Sequence, residues 1–597
     1  MKGGYTGQIL HVDLTSRTIN TEPLDPELAH QFVGGRGLGA KILWDRLEPG
    51  TDPSSPDNLL MFLTGPLTGV VPMGAQTCLV FKSPKTKITL GHPVTGAHWG
   101  PELKFAGYDG VIVSGKSDKP VYLYIEDGSA ELRDATHLWG KGTTETWRIL
   151  KQELGQRVQT MCIGPAGENS ILYATVHSEP FRAAARGGSG YLMGSKKLKA
   201  VAVRGTGSIK IAREKEFKDL FSLIYGRMSE GRRKARHGYA FSRWGSYYSA
   251  LSFSDVSTCD VKNYREGYWG DMDKVSGLEF EWRNKVKSRG CNGCPLACMQ
   301  HGVIREGPYA GYVVNPDFDS TMCIGAGCLV TDLDGLLYLH QLADDLGFDN
   351  ISLGNITGFT MECFEKGILT KNDLDGIELT WGNVPAMIEL WKKILNHDGI
   401  GAVLAQGVKE ASEKIGQGSE KFAMHAKGLE YGGYSCQAHH DRALQYAVGD
   451  RGGCHHYGLT WEEQNVRVWS DCLLMCTWAR AYMTPPSLYI DLLNAVTGWN
   501  LTASDYNTWA ERMLIMARSY NIREGMRPLR DDVLPDRVHS DAFTQGPKKG
   551  ALYPKEEFLK DRADFYRQRG CDDNGIPTEQ HLTELGLDFI IPVMRKL

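Results

Sequence analysis

Three cysteines lie close together in the segment RGCNGCPLACMQHG, where Cys291, Cys294 and Cys298 follow the spacing C-x2-C-x3-C. Three thiolates this close in sequence can converge on one soft metal centre, such as iron or zinc. A complete set of protein ligands needs one more, so we expect a fourth thiolate from elsewhere in the chain. The C-terminal third supplies candidates that spacing alone does not separate: Cys436, Cys454, Cys472 and Cys476.

Zinc is the first alternative for this cysteine triplet. A zinc finger would need a second CxxC pair or an H-x3-H pair downstream, and neither appears at that spacing. The radical enzymes that use S-adenosylmethionine have a triplet whose two spacings come in the opposite order. A [4Fe–4S] cluster with a distant fourth cysteine therefore explains the pattern best.

Two glycine-rich, basic loops occur in the N-terminal third: VGGRGLGA (33–40) and RGGSGYLMGSKKLK (186–199). Glycine lets backbone N–H groups approach an anion closely, and residues such as Arg36 supply charge. Neither loop matches G-x-G-x-x-G after a clear strand, so a Rossmann site is not supported. Together they favour a large phosphorylated cofactor.

Histidine pairs occur in CQAHHDR (436–442) and DRGGCHHYG (450–458). Histidine is suited to metal binding or acid–base chemistry near neutral pH. For any single histidine, an ordinary hydrogen-bonded position in a loop or in the core is the simpler interpretation.

The elements that position these residues differ along the chain. Up to about residue 205, short β-like runs are punctuated by glycine and proline, as at 59–65, 77–84, 110–116, 121–127 and 198–205. Beyond about residue 212, helical apolar spacing prevails, as at 335–347, 355–369, 384–396 and 505–520. We therefore predict a sheet-rich first part followed by helices.

Composition narrows the function class. The 597 residues carry a formal charge of −4, which argues against a general nucleic-acid binder. No apolar stretch approaches the length of a membrane span, and the first residues lack a secretion signal, so we expect a cytoplasmic protein. In that reducing compartment, metal ligation is the leading reason for clustered cysteines among the chain's fourteen.

Many segments, in order along the chain, resemble the tungsten-containing aldehyde ferredoxin oxidoreductase family. They are YTGQILHVDLT (5–15), FVGGRGLGAKIL (32–43), WGPELKFAGYDGVIVSGKS (99–117), IGPAGENS (163–170), RGGSGYLMGSKKLKAVAVRG (186–205), VKNYREGYW (261–269), CNGCPLAC (291–298), NIREGMR (521–527) and RGCDDNGIP (569–577). The resemblance implies an α+β fold, with an N-terminal β-rich domain (1–208) that forms a base for the pterins. Two mainly helical domains (209–405 and 406–597) would follow it.

The resemblance also implies cofactors: tungsten, or occasionally molybdenum, held by two pyranopterins of the molybdopterin type, and one [4Fe–4S] cluster. Family members bind the pterins with two segments of the pattern D-x-x-G-L-(D/C). Here these correspond to residues 344–349, which we call the first aspartate segment, and 471–476, the second aspartate segment. The last residue of the second segment, Cys476, corresponds to the family's fourth cluster ligand.

The phrase FRAAARGGSG matches a family loop that meets the pterin phosphates, and we call residues 181–188 the phosphate loop. The residues that we predict to contact the pterins are Gly35, Arg36, Gly37, Gln76, Arg182, Ala183, Gly187, Asp344, Gly347, Asp349, Asp471 and Met475. The sequence departs from the family at three places. Leu474 replaces a glycine, Gln76 stands where an arginine often bridges cluster and pterin, and Pro93–Thr95 lacks an asparagine that helps to hold a phosphate-bound magnesium.

Family members place a catalytic carboxylate after the cysteine triplet and a histidine in the phrase R-G-x-C-H. Here these correspond to Asp317 or Asp319 in NPDFDST and to His455 in DRGGCHH, with His456 as a substitute. The resemblance implies oxidation of an aldehyde, with water, to a carboxylic acid.

The chain has no flavin or nicotinamide signature, so we expect an electron partner, either a ferredoxin or iron–sulfur and flavin subunits, and an oligomer. One alternative is a low-potential reductase that resembles the catalytic subunit of class II benzoyl-coenzyme A reductase. A second alternative is a non-catalytic subunit that kept the cluster and lost the pterin.

Overall fold

The computed structural model describes residues 2–234 and 236–596. The predicted α+β class is confirmed, because an N-terminal β-rich part is followed by mainly helical parts. The domain boundaries at 208/209 and 405/406 stay predictions. Within the described residues, no helix combines the length and the apolar character that crossing a bilayer requires.

The first sheet mixes parallel and antiparallel pairs. Its strands, in spatial order, are Thr18–Pro23, Gln8–Asp13, Gly110–Ser114, Leu60–Leu63, Thr77–Lys82 and Leu90–Gly91, and Val94–Thr95 also pairs with Thr77–Lys82. Side chains alternate between its faces, as expected for a strand. Leu60 and Phe62 point towards the second sheet, while Met61 and Leu63 join a core shared with later helices.

The second sheet covers the first. Its strands, in spatial order, are Ala183–Ala184, Val176–Ser178, Gln159–Ile163, Leu198–Arg204, Val121–Glu126 and Ser129–Asp134. Val201 and Val203 pack with Phe62 and Val111 of the first sheet in one buried cluster. The phosphate loop is built on the edge of this sheet, since Ala183 pairs with His177 there.

Helices flank the sheets and build the rest of the chain. The longer ones are Pro26–Phe32, Gly35–Arg46, Trp99–Phe105, Thr143–Leu154, Ser189–Ser195, Glu214–Lys234, Arg236–Trp244, Ser249–Asp255, Gly277–Arg283, Leu333–Leu346, Asn350–Glu365, Val384–Asn396, Val408–Ile415, His440–Val448, Trp461–Leu473, Ser487–Thr497, Ala503–Arg523 and Lys555–Gln568. They form two apolar cores, one within residues 166–423 and one around Trp469 and Leu493. A small sheet of Lys285–Arg289, Met299–Val303 and Val313–Val314 stands apart and carries the cysteine triplet.

Candidate active site

The cysteine triplet lies in the loop of an antiparallel hairpin. Arg289 pairs with Met299, so the two ends of the loop are adjacent. The Cys294 N–H donates to the Cys291 carbonyl over 3.0 Å, which folds the loop back on itself. We call residues 290–298 the cysteine loop.

Cys476 reaches this loop from the end of the helix Trp461–Leu473. Burial, followed by the neighbouring Cys298 and Cys294, raises the pKa of the Cys476 thiol. Burial also raises the pKa of Cys294 to about 12, with Cys298 and Cys291 acting in the same direction. Cys294, Cys298 and Cys476 also pack against one apolar cluster, which brings Cys476 to the cysteine loop.

The described residues contain no set of three or more His, Cys, Asp or Glu side chains gathered closely enough to hold a single metal ion. Around one zinc ion, with bonds of about 2.3 Å, thiolates would lie roughly 4 Å apart. Ligation of a [4Fe–4S] cluster by these four thiols stays a prediction.

Two donors already point at the sulfur atoms. Arg182 Nη2 donates to Cys298 Sγ over 3.4 Å, and the Ala97 N–H donates to Cys291 Sγ over 3.3 Å. Burial alone would lower the pKa of the Arg182 guanidinium, but Cys298 and Cys291 raise it. Hydrogen bonds to the sulfurs suit thiolate ligands and tune a cluster's potential. Arg182 thus lies beside the predicted cluster ligands, although the resemblance places a bridging arginine at the position of Gln76.

The two aspartate segments end two helices in the same way. Gly347 follows the helix Leu333–Leu346 with φ 81°, and Leu474 follows the helix Trp461–Leu473 with φ 55°, both left-handed. Leu474 therefore keeps the backbone path that the family's glycine would take. The next residue, Met475, is buried and its N–H donates to the Ser470 carbonyl over 3.0 Å.

Glycines of the N-terminal domain let both aspartate segments approach its backbone. A Cβ on Gly35 would lie 2.1 Å from the Asp471 carbonyl, and one on Gly164 would lie 2.4 Å from the Leu346 carbonyl. A Cβ on Gly37 would meet the Phe32 carbonyl at 2.5 Å. The glycines of the first basic loop thus make room for protein backbone.

Buried arginines stand beside each segment. Arg36 Nη1 lies 3.5 Å from Asp471 Oδ2 and also bonds Asp450, while Arg186 Nε lies 3.5 Å from Asp349 Oδ2. Asp344, at the head of the first segment, accepts from Asn350 Nδ2 over 3.1 Å. Burial, then Asp317, raises the pKa of the Asp344 carboxyl.

Several buried nitrogen atoms here have no hydrogen-bond partner among the described residues: Arg36 Nε, His92 Nδ1, Arg182 Nε, Arg186 Nη1 and His455 Nδ1. Buried polar groups are normally satisfied, so these atoms fit an acceptor-rich, anionic cofactor. Gly187 of the phosphate loop is left-handed, with φ 80°, and no atom comes within 3.4 Å of the position of an added Cβ. The residues present therefore fit a pterin phosphate.

Gln76 and the segment Pro93–Thr95 lie beside the second aspartate segment and the phosphate loop. The Gln76 N–H donates to the Leu474 carbonyl over 3.4 Å. Thr95 pairs with Thr77, and the strand Val94–Thr95 contacts the strand Ala183–Ala184. The hydroxyl groups of both threonines are buried without a partner among the described residues.

Of the two candidate carboxylates, Asp319 is the one that contacts the predicted catalytic histidine. Its Oδ2 lies 3.3 Å from His455 Nε2. Asp317 instead caps a helical turn, because its Oδ1 accepts from the Ser320 N–H over 2.9 Å. A π-helical turn, Thr321–Ala326, follows directly, and such turns are frequent at functional sites.

This pair is unusual in its protonation. Burial, then Asp317, raises the pKa of Asp319 to about 8. Burial, then His456 and Arg442, lowers the pKa of His455 well below its ordinary value. At neutral pH a carboxylic acid therefore faces a neutral imidazole. A quarter of the Asp319 side chain remains accessible, so the carboxyl can be reached by a small molecule.

Sequence reasoning missed the surroundings of this pair. The Tyr434 ring centre lies 5.3 Å from that of His455, with the rings tilted by 42°, and the Phe253 and Phe318 rings lie 5.8 and 5.0 Å from that of Tyr434. The guanidinium of Arg442 lies 4.5 Å over the Tyr434 ring. These residues come from separate segments and form no motif. The one signal in the sequence was that Arg442 ends the histidine-containing phrase CQAHHDR.

Comparison with known proteins agrees with this geometry. A family model described as the N-terminal domain of aldehyde ferredoxin oxidoreductase matches residues 9–205, and one described as domains 2 and 3 matches 228–587. Tungsten-containing aldehyde ferredoxin oxidoreductases of Pyrococcus horikoshii and Pyrococcus furiosus are each 33% identical, over 98% of this chain and 99% of theirs.

Two further similar proteins are named for other activities. The WOR-like subunit of an aliphatic sulfonate oxidoreductase from Pyrococcus furiosus is 34% identical, over 98% of this chain and 97% of its own. The active-site complex of benzoyl coenzyme A reductase with 1,5-dienoyl-CoA has a TM-score of 0.86 and 28% identity, over 100% of this chain and 99% of that one. The chain belongs to the aldehyde ferredoxin oxidoreductase family and is an oxidoreductase of its tungsten-containing type.

Proposed function

We propose that this enzyme oxidises an aldehyde to a carboxylic acid, with water as the oxygen source: RCHO + H2O → RCOOH + 2 H+ + 2 e−. The Asp319–His455 pair carries this proposal, since its carboxyl and imidazole groups lie 3.3 Å apart, are partly accessible and can handle the protons of water. The family membership supports the aldehyde as the substrate class.

Tungsten held by two pyranopterins, when bound, supplies the two-electron redox chemistry and polarises the carbonyl. We propose that Asp344, Asp349, Asp471 and the phosphate loop hold these pterins. The family name supports tungsten, and molybdenum remains the alternative metal. A magnesium ion between the phosphates stays a prediction. The segment Pro93–Thr95 lacks the asparagine that helps to hold this ion in family members.

The protein's own contribution is proton handling. The Asp319 carboxylate, once deprotonated, can accept a proton from water, and His455 Nε2 keeps that carboxyl oriented. A second proton on His455 would create a buried imidazolium beside Arg442 and Arg186, which the low pKa disfavours. The pair therefore holds one proton, on Asp319, and any further proton from water has to leave the pair. Tyr434, Phe318 and Phe253 exclude water from the substrate side of the pair.

We propose that Cys291, Cys294, Cys298 and Cys476 hold a [4Fe–4S] cluster, whose chemistry is one-electron transfer. Gly293 in the cysteine loop is exposed, so a partner can approach the cluster there. A ferredoxin-type partner fits the family. The oligomeric state and the cellular location stay predictions.

The similarity to benzoyl coenzyme A reductase supports one alternative, a low-potential reductase of an aromatic thioester. The purified protein would be assayed for benzaldehyde-dependent reduction of a viologen dye and for benzoyl-coenzyme A reduction with a low-potential donor. Tungsten, pterin and iron would be measured on the same sample. Benzaldehyde oxidation supports the proposal, and thioester reduction without it supports the alternative. Iron and sulfide without tungsten, molybdenum or pterin would indicate a non-catalytic subunit.

A further inference from the structure

Three arginines from three separate elements converge beside the candidate catalytic pair. Arg442 lies in the helix His440–Val448, Arg467 in the helix Trp461–Leu473, and Arg480 in the turn Thr477–Ala481. Burial, then Arg480 and Arg442, lowers the pKa of the Arg467 guanidinium to about 10, although Asp471 and Glu463 act in the opposite direction. We call these three residues the arginine cluster.

The hydrogen bonds of the arginine cluster go to neutral oxygens. Arg442 donates to the His455 carbonyl over 3.2 Å, Arg467 bonds the Thr477 hydroxyl, and Arg480 donates to the Thr477 carbonyl over 2.9 Å. In the part of the chain that the structure describes, no carboxylate lies within the 4.0 Å of an ion pair to any of the three.

Two buried arginines elsewhere among the described residues each have a carboxylate partner. Arg537 lies 2.6 Å from Glu362, and Arg518 lies 3.0 Å from Asp532. Burying a charge is costly unless an opposite charge accompanies it, and like charges close together add to that cost. The arginine cluster is half-buried and holds three like charges without a carboxylate, so an anion from outside the chain would relieve their mutual repulsion.

The anion would lie next to the reacting group. The Arg442 guanidinium covers the Tyr434 ring, which neighbours His455. The His456 ring lies 4.1 Å from that of His455, and burial, then Arg467 and Arg451, lowers the pKa of its imidazole.

We infer that Arg442, Arg467 and Arg480 form a subsite for an anionic substituent of the substrate, such as a carboxylate, sulfonate or phosphate group. The inference rests on the proposed function and narrows its substrate class. The aromatic side chains beside His455 would hold the carbon skeleton. Guanidinium groups bind carboxylate, sulfonate and phosphate oxygens with charge-assisted hydrogen bonds. The phosphates of the pterins could bind guanidinium groups in the same way. The test therefore distinguishes an anionic group of the substrate from a cofactor phosphate.

The test uses the metal-loaded enzyme and its Arg467→Gln and Arg480→Gln variants. With 4-carboxybenzaldehyde, we expect kcat/KM to fall about ten- to a hundredfold, because a charged hydrogen bond is lost. With benzaldehyde, kcat/KM should stay within about twofold of the parent value, since no anion is involved. Arg512→Gln is the matched control: Arg512 is half-buried and also donates to neutral oxygens, including the Leu585 carbonyl at 2.7 Å.

Binding of terephthalate, measured by calorimetry, gives a readout that does not need turnover. The parent and Arg512→Gln should bind it equally, Arg467→Lys should retain part of the affinity, and Arg467→Gln should weaken it about tenfold or more. Failure of the parent to oxidise any aldehyde would refute the proposed function and leave this binding result to decide the inference.

Two outcomes would overturn the subsite. Loss of pterin or tungsten in Arg467→Gln, with Arg512→Gln fully loaded, would assign the arginine cluster to the cofactor phosphates. Equal losses for both aldehydes, or unchanged terephthalate binding, would leave no role for an anionic substituent. Thermal unfolding of each variant shows whether the fold survived, and Arg467→Lys decides the question if Arg467→Gln does not fold.

Discussion

Leu474 ends its helix in the left-handed conformation that Gly347 adopts at the same position of the first aspartate segment. Left-handed backbone costs a residue with a Cβ roughly 1–2 kcal/mol. The Leu474 side chain is fully buried and approaches the backbone of Gly35, so its apolar contacts offset that strain. The second aspartate segment therefore forms the same left-handed turn as the first, although it has leucine where the family pattern has glycine.

Leu474→Gly should destabilise the protein, although it removes the strain. Deleting a buried leucine side chain costs about 2–5 kcal/mol, which exceeds the roughly 1–2 kcal/mol of relief. Leu474→Ala keeps the left-handed Cβ and should be less stable than Leu474→Gly by about 1 kcal/mol. Urea unfolding of the three proteins measures the order. A Leu474→Gly protein more stable than the parent would contradict this account.

Gly35→Ala should be strongly destabilising, by about 2–4 kcal/mol, from a steric clash added to backbone strain. The added Cβ would lie 2.1 Å from the Asp471 carbonyl. Gly50→Ala is the control, because Gly50 has φ 78° and open space around it, so only strain is added there. Similar unfolding midpoints for the two variants would show that the second aspartate segment does not press on Gly35.

Cys291→Ser and Cys476→Ser should each lose the cluster, since both predicted ligands belong to the same set of four. We expect acid-labile iron to fall to near background, together with the reduced-state paramagnetic signal. Cys472→Ser is the control within the same segment, because Cys472 is buried against Met513. A full complement of iron in both test variants would refute the cluster.

Asp319→Asn should lower kcat by about 10²–10⁴-fold, the range of a lost general base. Asp317→Asn should leave kcat within a few-fold and the stability nearly unchanged, because asparagine can cap the turn that begins at Phe318 about as well as aspartate does. Steady-state assays and urea unfolding of the two variants separate the roles. A larger loss of kcat in Asp317→Asn would reverse the assignment.

The rate should rise with pH and level off above about 8, the pH at which Asp319 loses its proton. Stability should change in the opposite sense. Between its ordinary pKa and about 8, Asp319 binds a proton in the folded state only, so its contribution to stability falls as the pH rises.

His455 contributes the reverse slope, but only below its ordinary pKa of 6.5. Of the two groups, Asp319 alone therefore acts between pH 6.5 and 8. The decline of unfolding free energy across this window should be smaller in Asp319→Asn than in the parent. Equal slopes in the two proteins would place the pKa of Asp319 outside the window.

Helices and strands could be predicted closely where local periodicity dominates. The window 384–396 coincides with the helix Val384–Asn396, and 77–84 contains the strand Thr77–Lys82. The helix predicted at 355–369 instead spans Asn350–Glu365, since Asp349 caps it by accepting from the Ile351 N–H. Helix ends depend on such capping contacts, which apolar periodicity does not reveal.

The sequence by itself determined the features that residues close together along the chain form. These are the cysteine triplet, the periodicity of the strands and helices, and the family motifs in their order. Only the tertiary structure placed Asp319, and not Asp317, against His455 and assembled the arginine cluster beside them. The physical reason is distance along the chain. Asp319 and His455 are more than a hundred residues apart, and burial by several elements together decides their contact and their protonation.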